Sequence, residues 1–307
     1  MEVFSDIVGC KDLIERSILK YGHCAEHYYY CYLYNISSKE QGYFFSWEND
    51  MSILAKHDTK TNEWFVFVGI LAPEDKKTVL LKEFLDYVYT KEVTKAVNVK
   101  KVWCEFIPGF RHVVMKALKD SDYKVNKVNY TLTWPVFNMK QWTGDKMEGK
   151  EWKDLRYYWN KFFKDHKIEF RAYIPEDKPI LKELVGRWKK ERSGTDRTYD
   201  HYYLKTIDND FIGYQTRVIV VDDKICGVTA GYKLTNRNYY YSSIGIIVKE
   251  FDRIGEIANM DDLINLQKQG HEIVDFGGGE SHLTEFKKKF KPAYFYTTDI
   301  FSIVKKK

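Results

Sequence analysis

The chain has 307 residues, 44% hydrophobic and 30% charged. That is enough for two domains of ordinary size with sizeable cores, and it excludes disordered and low-complexity classes. The net charge is a mild +5, but its basic part crowds Lys287, Lys288, Lys289, Lys291 and Lys305 to Lys307, a surface suited to phosphate or to a solvated helix face.

No apolar run approaches the roughly 18 residues of a membrane-spanning helix; the longest, Trp64 to Pro73, contains Gly69. The five cysteines are scattered and form no C-x-x-C pair, as in a reducing compartment. Glu2, Asp6 and Asp12 stand where a secretory signal would be basic and then apolar, so a cytoplasmic protein without a transmembrane segment is expected.

Hydrophobic periodicity predicts an opening helix over Lys11 to Lys20 and strands near Tyr28 to Asn35 and Gly42 to Trp47. A turn at Asp58 to Asn62 leads into a strand, Glu63 to Ile70. His23-Cys24-Ala25-Glu26-His27 with Cys31 is the one metal-like cluster. Its spacing fits no recurrent ligand pattern and it reads as the turn entering a strand, so no metal is expected. An amphipathic helix follows from Lys76 to about Val93, then a strand, Lys101 to Phe106, opening into Pro108-Gly109. A short helix, Arg111 to Lys119, leads to a strand, Lys124 to Trp134. Alternating β and α elements imply a mixed α/β sheet with helices on both faces.

A polar stretch, Gln141 to Lys150, separates the halves and enters a helix from Glu151 to Lys164. Its Leu155, Tyr158, Trp159, Phe162 and Phe163 share one face. Beyond it the pattern predicts a strand (Ile168 to Tyr173) and helices at Pro175 to Arg192 and Asp196 to Ile207. Three antiparallel strands follow, Gln215 to Val221, Ile225 to Leu234 and Asn238 to Ile247, with turns at Asp222-Asp223 and Asn236-Arg237. The pattern closes with a helix (Glu256 to Gln269), a strand (Glu272 to Phe276), a short helix (Ser281 to Phe290) and a strand (Tyr294 to Val304). The organisation expected is residues 1–140, a junction helix in 141–166, and 167–307, the outer two being copies of one architecture.

The stretch richest in chemistry is Asp275-Phe276-Gly277-Gly278-Gly279-Glu280-Ser281-His282, followed by Leu283-Thr284-Glu285-Phe286-Lys287-Lys288-Lys289-Phe290-Lys291-Pro292. Three glycines between a strand and a helix permit torsions closed to other residues and clear side chains from a point of close approach. Amides at the following helix start can face a carbonyl or phosphate oxygen. Glu280 and His282 are candidate bases and Lys287 a candidate oxyanion or phosphate partner. As bland alternatives, Glu280 is a carboxylate at a helix start and His282 a surface residue.

The element order of the second half is that of the GCN5-related acyltransferase fold. The Gly turn with Leu283, Phe286-Lys287, Phe290 and Pro292 resembles the ending of the lysylphosphatidylglycerol synthase C-terminal domain and of the Fem-type aminoacyl-tRNA-dependent peptidyltransferases. Gly149-Lys150 with Leu155-Arg156 and Trp159-Asn160-Lys161-Phe162 is similar to the helix joining the two halves of the synthase-like group, with Tyr157 where that group has Asn. Val128-Asn129-Tyr130 stands where the group has an Asp-Tyr strand.

This resemblance implies tandem GCN5-related acyltransferase-like domains and transfer of an acyl or aminoacyl group from a thioester or aminoacyl-tRNA to an amine or hydroxyl. No tightly bound cofactor is implied; acyl-CoA or aminoacyl-tRNA would be the co-substrate, and a small molecule or lipid headgroup the acceptor. The active site would lie at the ends of the strands Asn238 to Ile247 and Glu272 to Phe276. Glu280, Lys287 and His282 are its expected catalytic residues. Arg156, Trp159, Tyr241, Ser243, Gly277, Gly278, Gly279 and Phe286 are its expected substrate contacts, Arg156 as an anion clamp. Lys287→Ala is expected to cut transfer or tRNA binding while leaving folding intact. Arg253-Ile254-Gly255 with Ala258 falls one residue short of the Gly-rich loop with which acetyl-CoA-dependent members hold pyrophosphate. The alternative is a non-catalytic module binding RNA or a nucleotide through the C-terminal lysines.

Overall fold

The computed structural model describes residues 1–22, 40–67, 69–90, 99–192, 200–234 and 238–306. The expected strand at Tyr28 to Asn35, the metal-like cluster of His23 to Cys31, the helix end near Val93 and the turn at Asn236-Arg237 lie outside the described residues. The chain divides into two compact units, Met1–Thr133 with Thr297–Lys307, and Trp134–Tyr296. Residues 297–307, expected in the last segment, group with the first unit.

In chain order the elements begin with β1 (Glu2–Phe4), α1 (Lys11–Tyr21), β2 (Glu40–Ser46), β3 (Ser52–Asp58), β4 (Glu63–Val66) and α2 (Glu74–Tyr89). Then come β5 (Lys101–Phe106), α3 (Phe110–Ala117), β6 (Tyr123–Asn138), α4 (Lys153–Asp165), β7 (Ile168–Arg171), α5 (Lys178–Glu191) and α6 (Asp200–Asp208). The remainder is β8 (Gln215–Val221), β9 (Lys224–Lys233), β10 (Tyr239–Ile247), α7 (Ile254–Lys268), β11 (Ile273–Asp275), α8 (Ser281–Lys288) and β12 (Tyr294–Lys305).

In the first unit the strand order is β1-β2-β3-β4-β5-β12-β6. β4 and β5 run parallel, Trp64 opposite Val102 and Val66 opposite Cys104, and α2 makes the crossover that a parallel pair requires. Leu80, Leu81, Phe84, Leu85 and Val88 of α2 are buried against Phe45, Ile53, Trp64 and Val102. On the other sheet face, Ile14 and Ile18 of α1 pack with Phe44 and Leu54. The sheet is therefore covered on both sides, as expected. The sequence pattern showed neither the three-residue β1 nor β3; in β3 the reason is burial. Ser52, Ile53, Leu54 and Ala55 are all buried, so it lacks the polar alternation that marks a half-exposed strand.

In the second unit the order is β6-β11-β10-β9-β8-β7, antiparallel except for the parallel pair of β10 and β11. The β8–β9 hairpin turns on Asp222 and Asp223, both with positive φ (48° and 63°), the torsions that a tight two-residue turn demands and that Asp tolerates. α7 connects the parallel pair and is buried on most of its surface, from Ile254 to Leu266. With Phe137, Trp142, Trp152, Leu155, Val274 and Phe290 it forms a core of this unit. The buried face of α4 is narrower than its apolar pattern: Leu155 and Phe162 are buried, whereas Phe163 is exposed.

Candidate functional site

β10 and β11 pair over only three positions, Tyr239 with Ile273, Tyr240 with Val274 and Tyr241 with Asp275. β11 then stops, because Gly277 takes a left-handed torsion (φ 73°) that a strand cannot propagate. β10 continues to Ile247, with a register shift against β9 between Ser242 and Ile244 that leaves Ser243 as the extra residue. The two strands thus part at their carboxyl ends. Such forks, and the bulges beside them, are where open α/β sheets place ligands.

The side chains at the fork form a connected set. Lys287, the seventh residue of α8, is buried, and its ammonium donates to the carbonyls of Phe276 and of Gly277 (2.8 Å). Asp275 is 1% exposed. Its Oδ1 accepts the Gly277 amide (3.0 Å) and its Oδ2 accepts the Tyr296 hydroxyl (2.6 Å). Burial raises its carboxyl to about 6, against the opposing pull of the Tyr296 and Gly277 hydrogen bonds and the Lys287 charge. Tyr296 lies flat on Trp134, centroids 5.7 Å apart and planes 6° from parallel. A Cβ on Gly278 would stand 2.7 Å from the Trp134 ring, and one on Gly277 would stand 3.2 Å from the Ser242 carbonyl and 3.7 Å from Lys287 Nζ. Only glycine admits this packing.

Behind β10 a second buried carboxyl, Asp262 of α7, accepts the Thr229 hydroxyl (3.1 Å) and lies 3.9 Å from Arg217. Burial lifts it to about 6, while Arg217 and hydrogen bonds from Thr229 and Ser242 act to lower it. Ser242, at the bulge, thereby ties the fork to the interior of the unit.

Of the residues expected from sequence, Gly277, Gly278, Lys287 and Tyr241 are brought together here. Tyr241 pairs with Asp275 and its ring neighbours Trp134 (6.3 Å) and Tyr232 (5.7 Å). Gly279 packs against Leu283. Ser243 is adjacent in chain and lies 3.3 Å from the Tyr202 hydroxyl, which bonds in turn to Tyr214. Glu280 is the residue before α8, half-buried, and its side chain makes no capping hydrogen bond; His282 is exposed. Phe286 and Trp159, expected to contact substrate, are partly buried and pack on the core around α7. Arg156 donates from its guanidinium to the carbonyls of Met147 and Gly149 (3.3 Å) in the loop ahead of its own helix, bonds that brace the junction.

The lysine row also differs from a free basic surface. Lys287 points inward, Lys288 pairs with Glu285, and Lys289 pairs with the buried Glu256 (3.0 Å). Arg253, which opens α7 with a left-handed torsion (φ 65°), pairs with Glu256 as well (3.2 Å). The residues that sequence reasoning missed are Asp275, Tyr296, Trp134 and Asp262. An aspartate ending a buried strand directly before three glycines was a usable signal; nothing in sequence announced Tyr296.

Neither a protein-family profile nor a curated protein sequence matches the chain. Solved structures do. The C-terminal domain of a putative lysylphosphatidylglycerol synthetase from Agrobacterium fabrum is 11% identical and superposes with a TM-score of 0.60 over 95% of this chain and 91% of its own. FemX is 12% identical with a TM-score of 0.57 over 97% of both chains. A tandem GNAT protein from the clavulanic acid biosynthesis pathway is 9% identical with a TM-score of 0.59 over 99% of this chain and 98% of its own. The chain therefore has the fold of the tandem GCN5-related acyltransferases, the fold shared by the synthetase domain and FemX. At these identities the likeness is one of fold.

Proposed function

We propose that the protein is an acyl- or aminoacyl-transferase whose chemistry takes place at the fork of β10 and β11. One observation carries this reading: a buried ammonium, Lys287, holds the Phe276 and Gly277 carbonyls beside a buried carboxyl and a tyrosine at the open ends of a parallel strand pair. Peptide planarity then fixes what the turn offers. With the Gly277 carbonyl aimed at Lys287, the Gly278 N–H of the same trans peptide points the opposite way. Acyl transfer develops negative charge on the carbonyl oxygen of the donor, and preorganised amides of this kind stabilise it. Glu280 and His282, beside the turn, remain candidates for contact with the acceptor.

Between the two donor classes the first turn of α7 favours the aminoacyl ester. In acetyl-CoA-dependent relatives this position holds pyrophosphate; here the Glu256 carboxylate already takes the positive end of the helix, with Arg253 and Lys289 on it. The acceptor is an amine or hydroxyl on a small molecule or lipid headgroup, and the setting cytoplasmic. Among the described residues no helix is long and apolar enough to cross a membrane. The purely RNA- or nucleotide-binding alternative would have to use the exposed Lys288, Lys289, Lys291, Lys305 and Lys306, because Lys287 is buried and bonded to backbone carbonyls.

The test is a thermal-shift screen against acyl-CoAs, charged and uncharged tRNA and free nucleotides, with mass spectrometry for transfer to an added amine. A ligand at a hundred times its Kd raises stability by about 2.7 kcal/mol. Stabilisation by aminoacyl-tRNA together with a mass gain on the amine supports the reading; stabilisation by uncharged RNA alone, without transfer, overturns it.

A further inference from the structure

Asp275 poses a question that the transfer reading leaves open. A carboxyl 1% exposed cannot touch a substrate, yet both its oxygens are turned towards the fork. Among the described residues the side chain hydrogen-bonded to it is that of Tyr296, at 2.6 Å, while its other oxygen takes the Gly277 amide. Lys287 adds its charge from α8, Tyr241 lies opposite on β10, and apolar Val136 lies opposite on β6. Tyr296 itself is half-buried, and its ring is fixed in plane by Trp134.

We infer that Tyr296 and Asp275 are a proton-sharing pair, Tyr296 being the group that meets the acceptor and Asp275 the proton store behind it. The inference rests, for its catalytic role, on the transfer reading. The acceptor nitrogen bonds to the acyl carbon of an ester or thioester donor, and the bond from that carbon to the leaving oxygen or sulfur breaks with its electron pair. The proton lost by the nitrogen passes to the Tyr296 oxygen as the hydroxyl proton of Tyr296 passes to Asp275 Oδ2. The leaving group is protonated by the same path in reverse, which restores both residues. Two features suit the pair to this task. The short bond is already aligned along the path. The carboxyl is also poised near neutrality, at about 6, so that it can hold or yield the proton.

Two readouts on wild type, Tyr296→Phe and Asp275→Asn keep failure of the pair distinct from failure of the transfer reading. The first follows Asp275 by carbon NMR of carboxyl-labelled aspartate. Because the Tyr296 bond favours the charged carboxylate, its removal in Y296F must move the Asp275 midpoint upward from about 6; an unmoved midpoint overturns the inference. The second uses lysyl-tRNA and acetyl-CoA as donors and a soluble amine as acceptor. Each single variant is expected to lower kcat on the order of 100-fold with KM unchanged, and the double variant to be no slower than either. A Y296F that retains wild-type kcat, or losses that multiply, overturns the relay. If the wild type transfers from neither donor, the transfer reading falls, and the NMR titration alone decides the pair.

Discussion

Each unit contains a parallel strand pair whose second strand leads through a short turn into a helix, and the two turns differ in almost every side chain. In the first unit Glu105-Phe106 passes through Ile107-Pro108-Gly109 into α3; in the second Asp275-Phe276 passes through Gly277-Gly278-Gly279 into α8. Glu105 is bonded by the fully buried Thr298 (2.7 Å), Asp275 by the half-buried Tyr296. Arg111 of α3 donates to the Asn126 carbonyl on β6, whereas Lys287 of α8 reaches back to the carbonyls of its own turn. One skeleton thus forms a joint closed by side chains in one unit and, stripped of side chains and given a buried cation, the fork proposed as the site in the other.

The contrast is sharpest at the two basic residues. Lys287→Met removes the donor from two buried carbonyls and is expected to destabilise the protein by about 3 kcal/mol and to abolish transfer. Arg111→Met strips one carbonyl and should lose only about 1 kcal/mol. Denaturant titration compares them. The expectation that Lys287 can be removed without disturbing the fold is thereby corrected, since it is 8% exposed and doubly bonded to backbone.

Two carboxyls that each accept a tyrosine hydroxyl should respond to pH in opposite directions. Burial lifts Asp275 to about 6, whereas at Asp86 burial is outweighed by hydrogen bonds from Lys82 and Tyr123, and its carboxyl lies below the ordinary value of 3.8. The folded state holds the Asp275 proton more tightly than the unfolded chain does. Its stabilisation is therefore full below pH 3.8 and declines as pH rises through about 6; Asp262 adds a second decline of the same sign. Asp275→Asn should remove on the order of 3 kcal/mol of that decline. Asp86 contributes above 3.8 and is lost as pH falls through its lower folded value, so Asp86→Asn should flatten the acid limb instead. Melting temperatures across pH separate the two.

The glycines provide a smaller comparison. Gly278→Ala drives a Cβ to 2.7 Å from Trp134, for a loss of about 2 kcal/mol. Gly109→Ala meets nothing within 4 Å but keeps a φ of +90°, a strain of about 1 kcal/mol. Smallest of all, Lys288→Ala breaks only the exposed pair with Glu285 and should change stability by less than about 0.5 kcal/mol, leaving any ligand-induced thermal shift intact.

Much of this was legible in sequence where a local rule was at work. The triple glycine, the Asp222-Asp223 turn and the apolar face of α2 each mark a conformation that few residues can adopt, and each appears where the pattern put it. β3 was not legible, because a strand covered on both faces carries no alternation. Arg156 and Lys287 show the limit for charges: a basic residue announces that it needs an acceptor, but whether it finds a substrate or a nearby carbonyl depends on packing. Tyr296 was silent because its partner is 21 residues away, across a helix and a turn.

β12 carries a consequence for how the protein is made. Residues 297–305 lie between β5 and β6 in the sheet of the first unit, Phe301 opposite Cys104 and Ile303 opposite Val102. A central strand of that sheet thus emerges from the ribosome only after the entire second unit. The first unit cannot close its hydrogen-bond ladder during synthesis and must wait with β5 unpaired on that edge, a long-range closure that is slow by nature. The second unit, continuous from Trp134 to Tyr296, has all its strands on the ribosome before that one and is free to fold first.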